Sequence, residues 1–286
     1  MTTSTTPAAT PAATATAPAE ERLTTGWEPD APVGDTILRR YLFCSAGLFA
    51  TFAKAAGGRA TKAPAFAAAD AGRPSGWFNS ATLLQPPDPA TFHHVVADVE
   101  RFFQSGTGEA HLWSAWPTPD LTARGWRLVG HPPLLIRPPA ALVPPPAPVA
   151  VDLVEVADAT GLAEWERVAI EGYPLPELSP FVPGALADPR ALDDPRLRFT
   201  VGREDGEAVS IGTLFTDSGV GCFALGVTLP AARRRGHWLA HAVHRIAAAP
   251  DVWMAGVFSD HSRSPAERLG FLPVLRFTLW ARDRAR

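Results

Sequence analysis

The fold is decided by the stretch LGVTLPAARRRGHWLAHAV, which runs from Leu225 to Val243. An apolar strand leads directly into a basic turn, and the turn leads directly into a helix. The first turn of a helix leaves backbone N–H groups unpaired and carries a partial positive charge. Gly236 lets the backbone approach a ligand without an intervening Cβ. Charged donors stand beside it: Arg233, Arg234 and Arg235. The pattern predicts a pyrophosphate-binding turn, with a solvated basic turn as the alternative.

Predicted elements on both sides of this stretch follow in a regular order. AVDLVEV (150–156) alternates like a strand, and Asp158 is placed to cap a helix through GLAEWERVAIEG. Asp-Gly and Asp-Ser-Gly turns at 205–206 and 217–219 separate three strands. VWMAGVF reads as a buried strand, SPAERLG as a helix, and FLPVLRFTLWAR as a single final strand. The strand–helix–strand step between them predicts a parallel pair with a right-handed crossover.

Two motifs in this half resemble signatures of the GNAT acetyltransferases. PAARRRG (230–236), after the strand ending in LGV (225–227), is similar to the acetyl-CoA-binding motif of that family. ERLGF (267–271) is similar to its second signature, a helix that ends in Leu-Gly-Phe before the last strand. The resemblance covers roughly residues 148–286. It implies a mixed α/β, GNAT-like acyl-CoA N-acyltransferase fold. The implied activity is an acetyl-CoA-dependent N-acetyltransferase that acts directly on an unidentified amine.

The resemblance also implies roles for particular backbone groups. The amides of Val227 and Leu229 would pair with the pantetheine arm of acetyl-CoA. The backbone near Leu225 and Gly226 would stabilise the oxyanion that develops on the acyl carbonyl. The pyrophosphate would be held by residues of the basic turn and the first helical turn: Arg233, Arg234, Arg235, Gly236, His237, Trp238 and Leu239.

Two positions depart from the pattern of the family. Trp238 stands where the motif has a small residue, so its ring either packs in the core and leaves its amide free or obstructs the cofactor. Ala266 stands where many members carry a tyrosine that protonates the leaving thiolate. A thiol with a pKa of ~8.5 leaves with a penalty of about 2 kcal/mol at pH 7. Water or Ser259 would then supply the proton.

Acetyl transfer also requires a base, because an amine with a pKa of ~10 arrives protonated. Glu171, at the end of the first helix of this half, and Asp260, after the strand VWMAGVF, are the candidates. Both also fit ordinary surface carboxylates. The proline-rich segment Tyr173–Pro183 is expected to form one wall of the acceptor pocket.

Other chemistries find less support in the sequence. His237 and His241 lie four residues apart on the predicted helix, but HWLAH lacks the glutamate of a zinc-binding HExxH motif. No metal site is expected. Neither a G-x-S-x-G nucleophile elbow nor a GxxxxGK[ST] loop occurs in the sequence.

Bulk composition narrows the partners and the compartment. The chain has 286 residues, a formal net charge of -3 and 46% hydrophobic residues, a balance that argues against a general nucleic-acid binder. Its two cysteines, Cys44 and Cys222, are expected as buried thiols. The apolar run Leu42–Ala53 is shorter than the ~20 residues of a membrane span and predicts a buried amphipathic helix. We expect a cytoplasmic protein without a membrane partner, and a homodimer stays open.

The rest of the chain divides into three predicted segments. Residues 1–22 form a disordered Thr/Ala/Pro tail, residues 23–137 a smaller α/β domain, and residues 138–147 a proline-rich linker. HLWSAW…TARGWRLV in the N-terminal half parallels DVWMAGVF…AERLGFLPV in the C-terminal half. The N-terminal domain is therefore predicted as a degenerate GNAT-like repeat.

The alternative function is a catalytically weak or inactive acyl-CoA-binding regulatory or interaction module. Ala266, Trp238 and the lack of an obvious base favour it. An interaction protein that uses the fold only as a scaffold is a third hypothesis.

Overall fold

The computed structural model describes residues 36–142, 151–173 and 175–284. The predicted tail, residues 1–22, lies outside the described residues, and so does half of the predicted linker 138–147, residues 143–147.

The N-terminal half begins with the helix that the run LFCSAGLFATFA predicts. This helix packs on strands of both sheets of the molecule and buries one apolar face, which confirms the prediction of a buried amphipathic helix. A second helix, Phe92–Phe103, is amphipathic as well, with Val96 and Val99 buried. The elements of this half are α1 Ile37–Ala55, β1 Arg59–Lys62, β2 Phe66–Asp70, β3 Asn79–Leu83, α2 Phe92–Phe103, β4 Glu109–Ser114, β5 Arg127–Gly130 and β6 Pro133–Arg137.

The C-terminal half follows the predicted order as far as its last helix. Asp158 caps α3 by accepting a hydrogen bond from the amide of Gly161 at 2.8 Å, as predicted. Short 3-10 turns occupy the proline-rich connection that follows α3. The elements are β7 Asp152–Glu155, α3 Ala159–Gly172, β8 Leu197–Glu204, β9 Glu207–Asp217, β10 Val220–Thr228, α4 His237–Ala248, β11 Trp253–Val257, α5 Asp260–Arg268, β12 Leu272–Arg276 and β13 Thr278–Asp283.

Both predicted hairpin turns are confirmed. Asp205 and Gly206 have φ angles of 50° and 84°, and Ser218 and Gly219 have φ angles of 52° and 71°. Positive φ at both central residues is the geometry of a tight hairpin turn, which matches the right-handed twist of the flanking strands. These turns place β8, β9 and β10 side by side and antiparallel.

The strands form two mixed sheets. One has the order β1-β2-β3-β4-β13-β5, and the other has the order β12-β6-β11-β10-β9-β8-β7. The helix α4 connects β10 to β11, which are parallel, so the predicted crossover is confirmed. In the other sheet α2 connects β3 to β4, which are also parallel. The internal repeat itself stays a prediction.

The two halves exchange strands. The N-terminal β6 lies between β11 and β12 in the seven-stranded sheet, and the C-terminal β13 lies between β4 and β5 in the six-stranded sheet. The prediction of one final strand over FLPVLRFTLWAR is therefore wrong. Phe277 separates β12 from β13; it is buried, packs against Tyr41 and Trp113, and donates its amide hydrogen bond to Pro132. The side chain of Phe277 is anchored between the two sheets. The chain therefore passes at this residue from the seven-stranded sheet, which contains β12, to the six-stranded sheet, which contains β13.

Candidate functional site

The parallel pair β10–β11 opens before either strand ends. Its pairing stops at Phe223 and Gly256, whereas β10 continues to Thr228 against β9 on its other side. Beyond Phe223, the edge of β10 that faces β11 pairs with no strand of the described residues. A slot therefore opens between the two strands, at the end from which α4 departs.

A β-bulge shapes the strand at this slot. The register against β9 shifts between Ala224 and Val227, and Leu225 has a φ of +39°. A non-glycine residue in that region costs about 1–3 kcal/mol and persists only where its surroundings hold it. Leu225 is buried, so packing holds it here. Of the predicted pantetheine contacts, the amide of Leu229 is already engaged by the carbonyl of Val209 at 2.9 Å.

The slot opens into a cavity of about 410 Å³ to which both sheets contribute. The bulged strand supplies one wall, and the N-terminal half supplies aromatic rings such as Trp77 and Trp113. Tyr173 lines the cavity, but residues 175–183 of the predicted acceptor wall do not. The polar groups of the lining are few: Tyr41, Ser45, Thr82, Tyr173, Cys222, Arg245, Ser259 and Ser262.

The predicted anion-binding turn lies between the slot and α4. Gly236, with a φ of +95°, is the residue before the helix, and no side chain caps it. Among the described residues, none accepts a hydrogen bond from the six consecutive backbone N–H groups of Arg234–Leu239. N–H groups without an acceptor at the positive end of a helix are the kind of donors that an anion requires.

The three arginines of the turn differ in what their side chains do. Arg233 donates from Nε to the carbonyl of Thr228 at 3.1 Å. Arg235 forms an ion pair with Glu204 at 2.7 Å. Arg234, with a φ of +66°, makes no side-chain hydrogen bond or ion pair with any other described residue. The turn therefore offers one unengaged guanidinium, that of Arg234, rather than three.

A buried polar network fixes the start of α4. His237 places Nε2 2.8 Å from Glu204 and Nδ1 2.8 Å from the hydroxyl of Ser210. The same hydroxyl lies 3.0 Å from Nε2 of His241, whose Nδ1 is 2.9 Å from the hydroxyl of Thr200. Burial holds the pKa of His241 well below its usual value. The two imidazoles face sheet residues, and neither lines the cavity.

Both carboxylates predicted as bases lie away from the cavity. Glu171 is half-exposed and pairs with Arg167 at 3.0 Å. Asp260 is exposed, and its hydrogen bond from Arg276 at 2.6 Å lowers its pKa. Neither lines the cavity, so the structure does not bring these two carboxylates to the reacting atoms.

Ser259, the predicted proton source, does line the cavity. It is the N-cap of α5, and its hydroxyl accepts from the amide of Ser262 at 3.2 Å and lies 3.0 Å from the Ser262 hydroxyl. Ala266 is fully buried in the apolar core.

The ring of Trp238 lies between the core and the cavity. It packs partly against the apolar cluster around α4, with its ring centroid 6.5 Å from that of Phe258, and it also lines the cavity. Its backbone amide remains without an acceptor among the described residues.

Arg245 is the residue at this site that sequence reasoning missed. It lies on α4 with 4% of its surface exposed and stacks 4.0 Å from the ring centroid of Phe223. Burial lowers its pKa to about 10. One signal in the sequence points to it: Arg245 follows Ala242 by three residues, on the stripe of α4 that otherwise reads as apolar.

Comparison with solved structures identifies the fold. The chain is similar to a GCN5-related N-acetyltransferase from Kribbella flavida, with 20% identity, 85% of this chain and 96% of that chain covered, and a TM-score of 0.57. It is also similar to an acetyltransferase of the GNAT family from Novosphingobium aromaticivorans, with 19% identity, coverages of 88% and 100%, and a TM-score of 0.55. A scan against models of protein families and a search of curated proteins both find no match.

Proposed function

With the GNAT fold as the premise, we propose that this chain transfers an acetyl group from acetyl-CoA to an amine. The observation that carries the proposal is the unit β10–turn–α4. This unit places the slot between β10 and β11 beside the cavity. The turn that follows β10 adds six backbone N–H groups without an acceptor among the described residues. A long ligand with a diphosphate at one position and an apolar arm beyond it fits both parts at once.

The residues present fit the diphosphate of coenzyme A. The amides of Arg234–Leu239 would donate to its oxygens, and the guanidinium of Arg234 would add a charge-assisted contact. Each hydrogen bond to a charged group contributes about 1.5–3 kcal/mol. Gly236 keeps a side chain away from the turn. The slot beside Val227 would receive the pantetheine arm, without the amide of Leu229, which Val209 already engages.

When bound, acetyl-CoA supplies a thioester whose carbonyl carbon accepts the amine. The new C–N bond forms, the C–S bond breaks, and the proton that the nitrogen loses ends on the thiolate or on water. The backbone of the bulge at Leu225 and Gly226 would face the carbonyl oxygen, where a fixed N–H group stabilises the developing charge. The apolar walls exclude water and hold the two reactants together.

The proposed acetyl transfer uses no acidic or imidazole base from the cavity. Within the described part of the chain, no Asp, Glu or His side chain lines it. An ammonium that enters an apolar cavity beside the cation of Arg245 loses stability relative to the free amine. The chain therefore would bind the amine in its neutral form rather than deprotonate it.

The second candidate function is a module that binds acyl-CoA without turnover. It is favoured by the same lack of a base among the lining residues and by Ala266 in place of the tyrosine. Thiol release from acetyl-CoA, measured against a panel of amines, separates the two: binding of coenzyme A with no release on any amine supports the module.

Coenzyme A binding to Gly236→Glu, followed by calorimetry, tests the proposal. The new carboxylate would lie among the free amides and repel the diphosphate, so affinity should fall by at least about tenfold. Gly206→Glu is the matched control, because Gly206 also has a positive φ, 84°, and has no atom within 4 Å of where its Cβ would stand. Equal coenzyme A affinity in the two variants would contradict the proposal.

A further inference from the structure

Arg245 is a buried cation without a buried anion. Its Nε donates to the carbonyl of His241 at 3.1 Å, and its Nη1 donates to the carbonyl of Thr213 at 3.3 Å. Among the residues that the structure describes, its Nη2 donates to no acceptor, and no carboxylate pairs with the guanidinium. A buried charge is costly unless it is paired, so an anionic ligand group would stabilise it here.

This guanidinium lies beside the bulge of β10. Nη2 and Nη1 lie 3.4 and 3.5 Å from where a Cβ on Gly226 would stand, and Gly226 is the second residue of the bulge. Both residues line the cavity. The two carbonyl contacts and the ring of Phe223 fix the guanidinium in place. An anion bound here would lie beside the position proposed for the thioester.

The rest of the cavity is suited to an apolar body. Most of the lining that the N-terminal half and the strand switch contribute is aromatic or aliphatic, with Ser45 and Thr82 as hydroxyl exceptions: Leu48, Phe49, Trp77, Phe78, Trp113 and Phe277. At about 410 Å³ the cavity exceeds what a two-carbon acetyl group fills. A single fixed cation in an apolar cavity selects a ligand with one anionic group on an apolar frame.

From these contacts we infer that the acetyl acceptor is an α-amino acid with an apolar side chain, whose carboxylate pairs with Nη2 of Arg245. This inference rests on the proposed function for the step itself, in which the amine nitrogen bonds to the acetyl carbon and coenzyme A leaves as the thiol. One carbon separates the amine of an α-amino acid from its carboxylate. Pairing at Arg245 therefore brings the amine to the bulge, while the side chain fills the apolar part of the cavity.

Product binding tests the inference without turnover. N-acetyl-L-phenylalanine and its neutral carboxamide are titrated into the full chain by calorimetry, with and without coenzyme A. The acid should bind roughly ten- to a hundredfold more tightly than the amide, the range for a hydrogen bond to a charged group. Arg245→Met should remove that difference, and Arg268→Met, at an exposed arginine of α5 outside the cavity, should retain it.

A merely structural role for Arg245 gives different results. The melting temperature of Arg245→Met is measured beside binding, because the variant loses the two hydrogen bonds to the carbonyls of His241 and Thr213 whatever the role of the charge. If this variant does not fold, the acid-to-amide ratio of the unaltered protein and of Arg245→Lys still decides the question. Lysine keeps the charge, and the preference for the acid should persist in reduced form.

Two results would overturn the inference. Equal affinity of the unaltered protein for the acid and the amide would remove the carboxylate requirement. Tighter binding of succinyl-CoA than of acetyl-CoA, lost in Arg245→Met, would place the carboxylate on the acyl group instead. Failure of the proposed function gives a different result. In that case the unaltered protein does not bind coenzyme A at all, whereas Arg245→Met tests only this inference, because Arg245 lies outside the turn Arg234–Leu239.

Discussion

The hydroxyl of Tyr173 donates a hydrogen bond to the carbonyl of Gly226 at 2.9 Å. This contact joins the residue that follows α3 to the bulge of β10, and burial raises the pKa of the phenol, which keeps it protonated as a donor. The ring centroid of Tyr173 also lies 4.8 Å from that of Trp77, a residue of the N-terminal half. One side chain thus connects the bulge to both halves of the cavity wall.

Tyr173→Phe is expected to loosen the bulge while leaving the fold intact. Loss of the hydrogen bond should lower the free energy of unfolding by about 0.5–1.5 kcal/mol. Since the bulge backbone is proposed to face the thioester, kcat should fall more than KM rises. Denaturant unfolding and steady-state thiol release measure the two effects. A change in KM alone would place Tyr173 in acceptor binding rather than in the support of the bulge.

The arginines of the turn should differ in their effect on coenzyme A. Arg234→Ala removes the unengaged guanidinium and is expected to weaken binding about tenfold or more. Arg235→Ala removes a group already paired with Glu204, and its effect should stay below about threefold. Calorimetry with coenzyme A compares the two variants. The opposite ranking would show that the pairing with Glu204 breaks on binding.

Stability should fall below neutral pH because of His241. Its pKa in the folded protein lies well below the ordinary value, about 6.5, because the ring is buried. The unfolded chain therefore binds the proton more readily, and stability falls as pH drops below about 6.5, by at most about 1.4 kcal/mol per pH unit. In His241→Gln this component should vanish. Melting temperatures between pH 8 and pH 5 measure it, and identical profiles for both proteins would contradict the assignment.

The pH dependence of the reaction should be set by the pKa of the acceptor amine rather than by a titrating group of the protein. No Asp, Glu or His lines the described part of the cavity, so kcat/KM is expected to rise about tenfold per pH unit up to the pKa of the free amine. Acceptors with different amine pKa values should shift the plateau in parallel. A fixed plateau near pH 7 for all acceptors would indicate a base supplied by the chain.

Local patterns in the sequence were enough for most of the fold. The Asp205-Gly206 turn, the Asp158 cap and the strand–helix–strand step around α4 each depend on neighbours in sequence, and each is confirmed. The exchange of β6 and β13 between sheets was not foreseen. It depends on Phe277, whose partners Tyr41 and Trp113 are more than 150 residues away in the chain, and a short apolar run carries no sign of such a switch.

The sequence also predicted part of the site, namely the part that depends on residues close together in the chain. The free amides of the turn follow from where a helix begins, which the sequence shows. Side-chain roles depend on contacts from distant elements. Glu204 neutralises Arg235, Arg276 holds Asp260 at the surface, and the walls from the N-terminal half complete the cavity. Arg245 was missed because a charged residue on an apolar stripe has meaning only once the cavity beside it is known.

The most direct measurement of the central claim follows the backbone amides of the turn by NMR while coenzyme A is added. We expect the amide resonances of Arg234–Leu239 to shift saturably. Their proton shifts should move downfield, because each N–H gains an acceptor. The amide resonances of the distant hairpin at Gly206 should stay in place. Saturable coenzyme A binding that leaves these six amides unmoved would contradict the account.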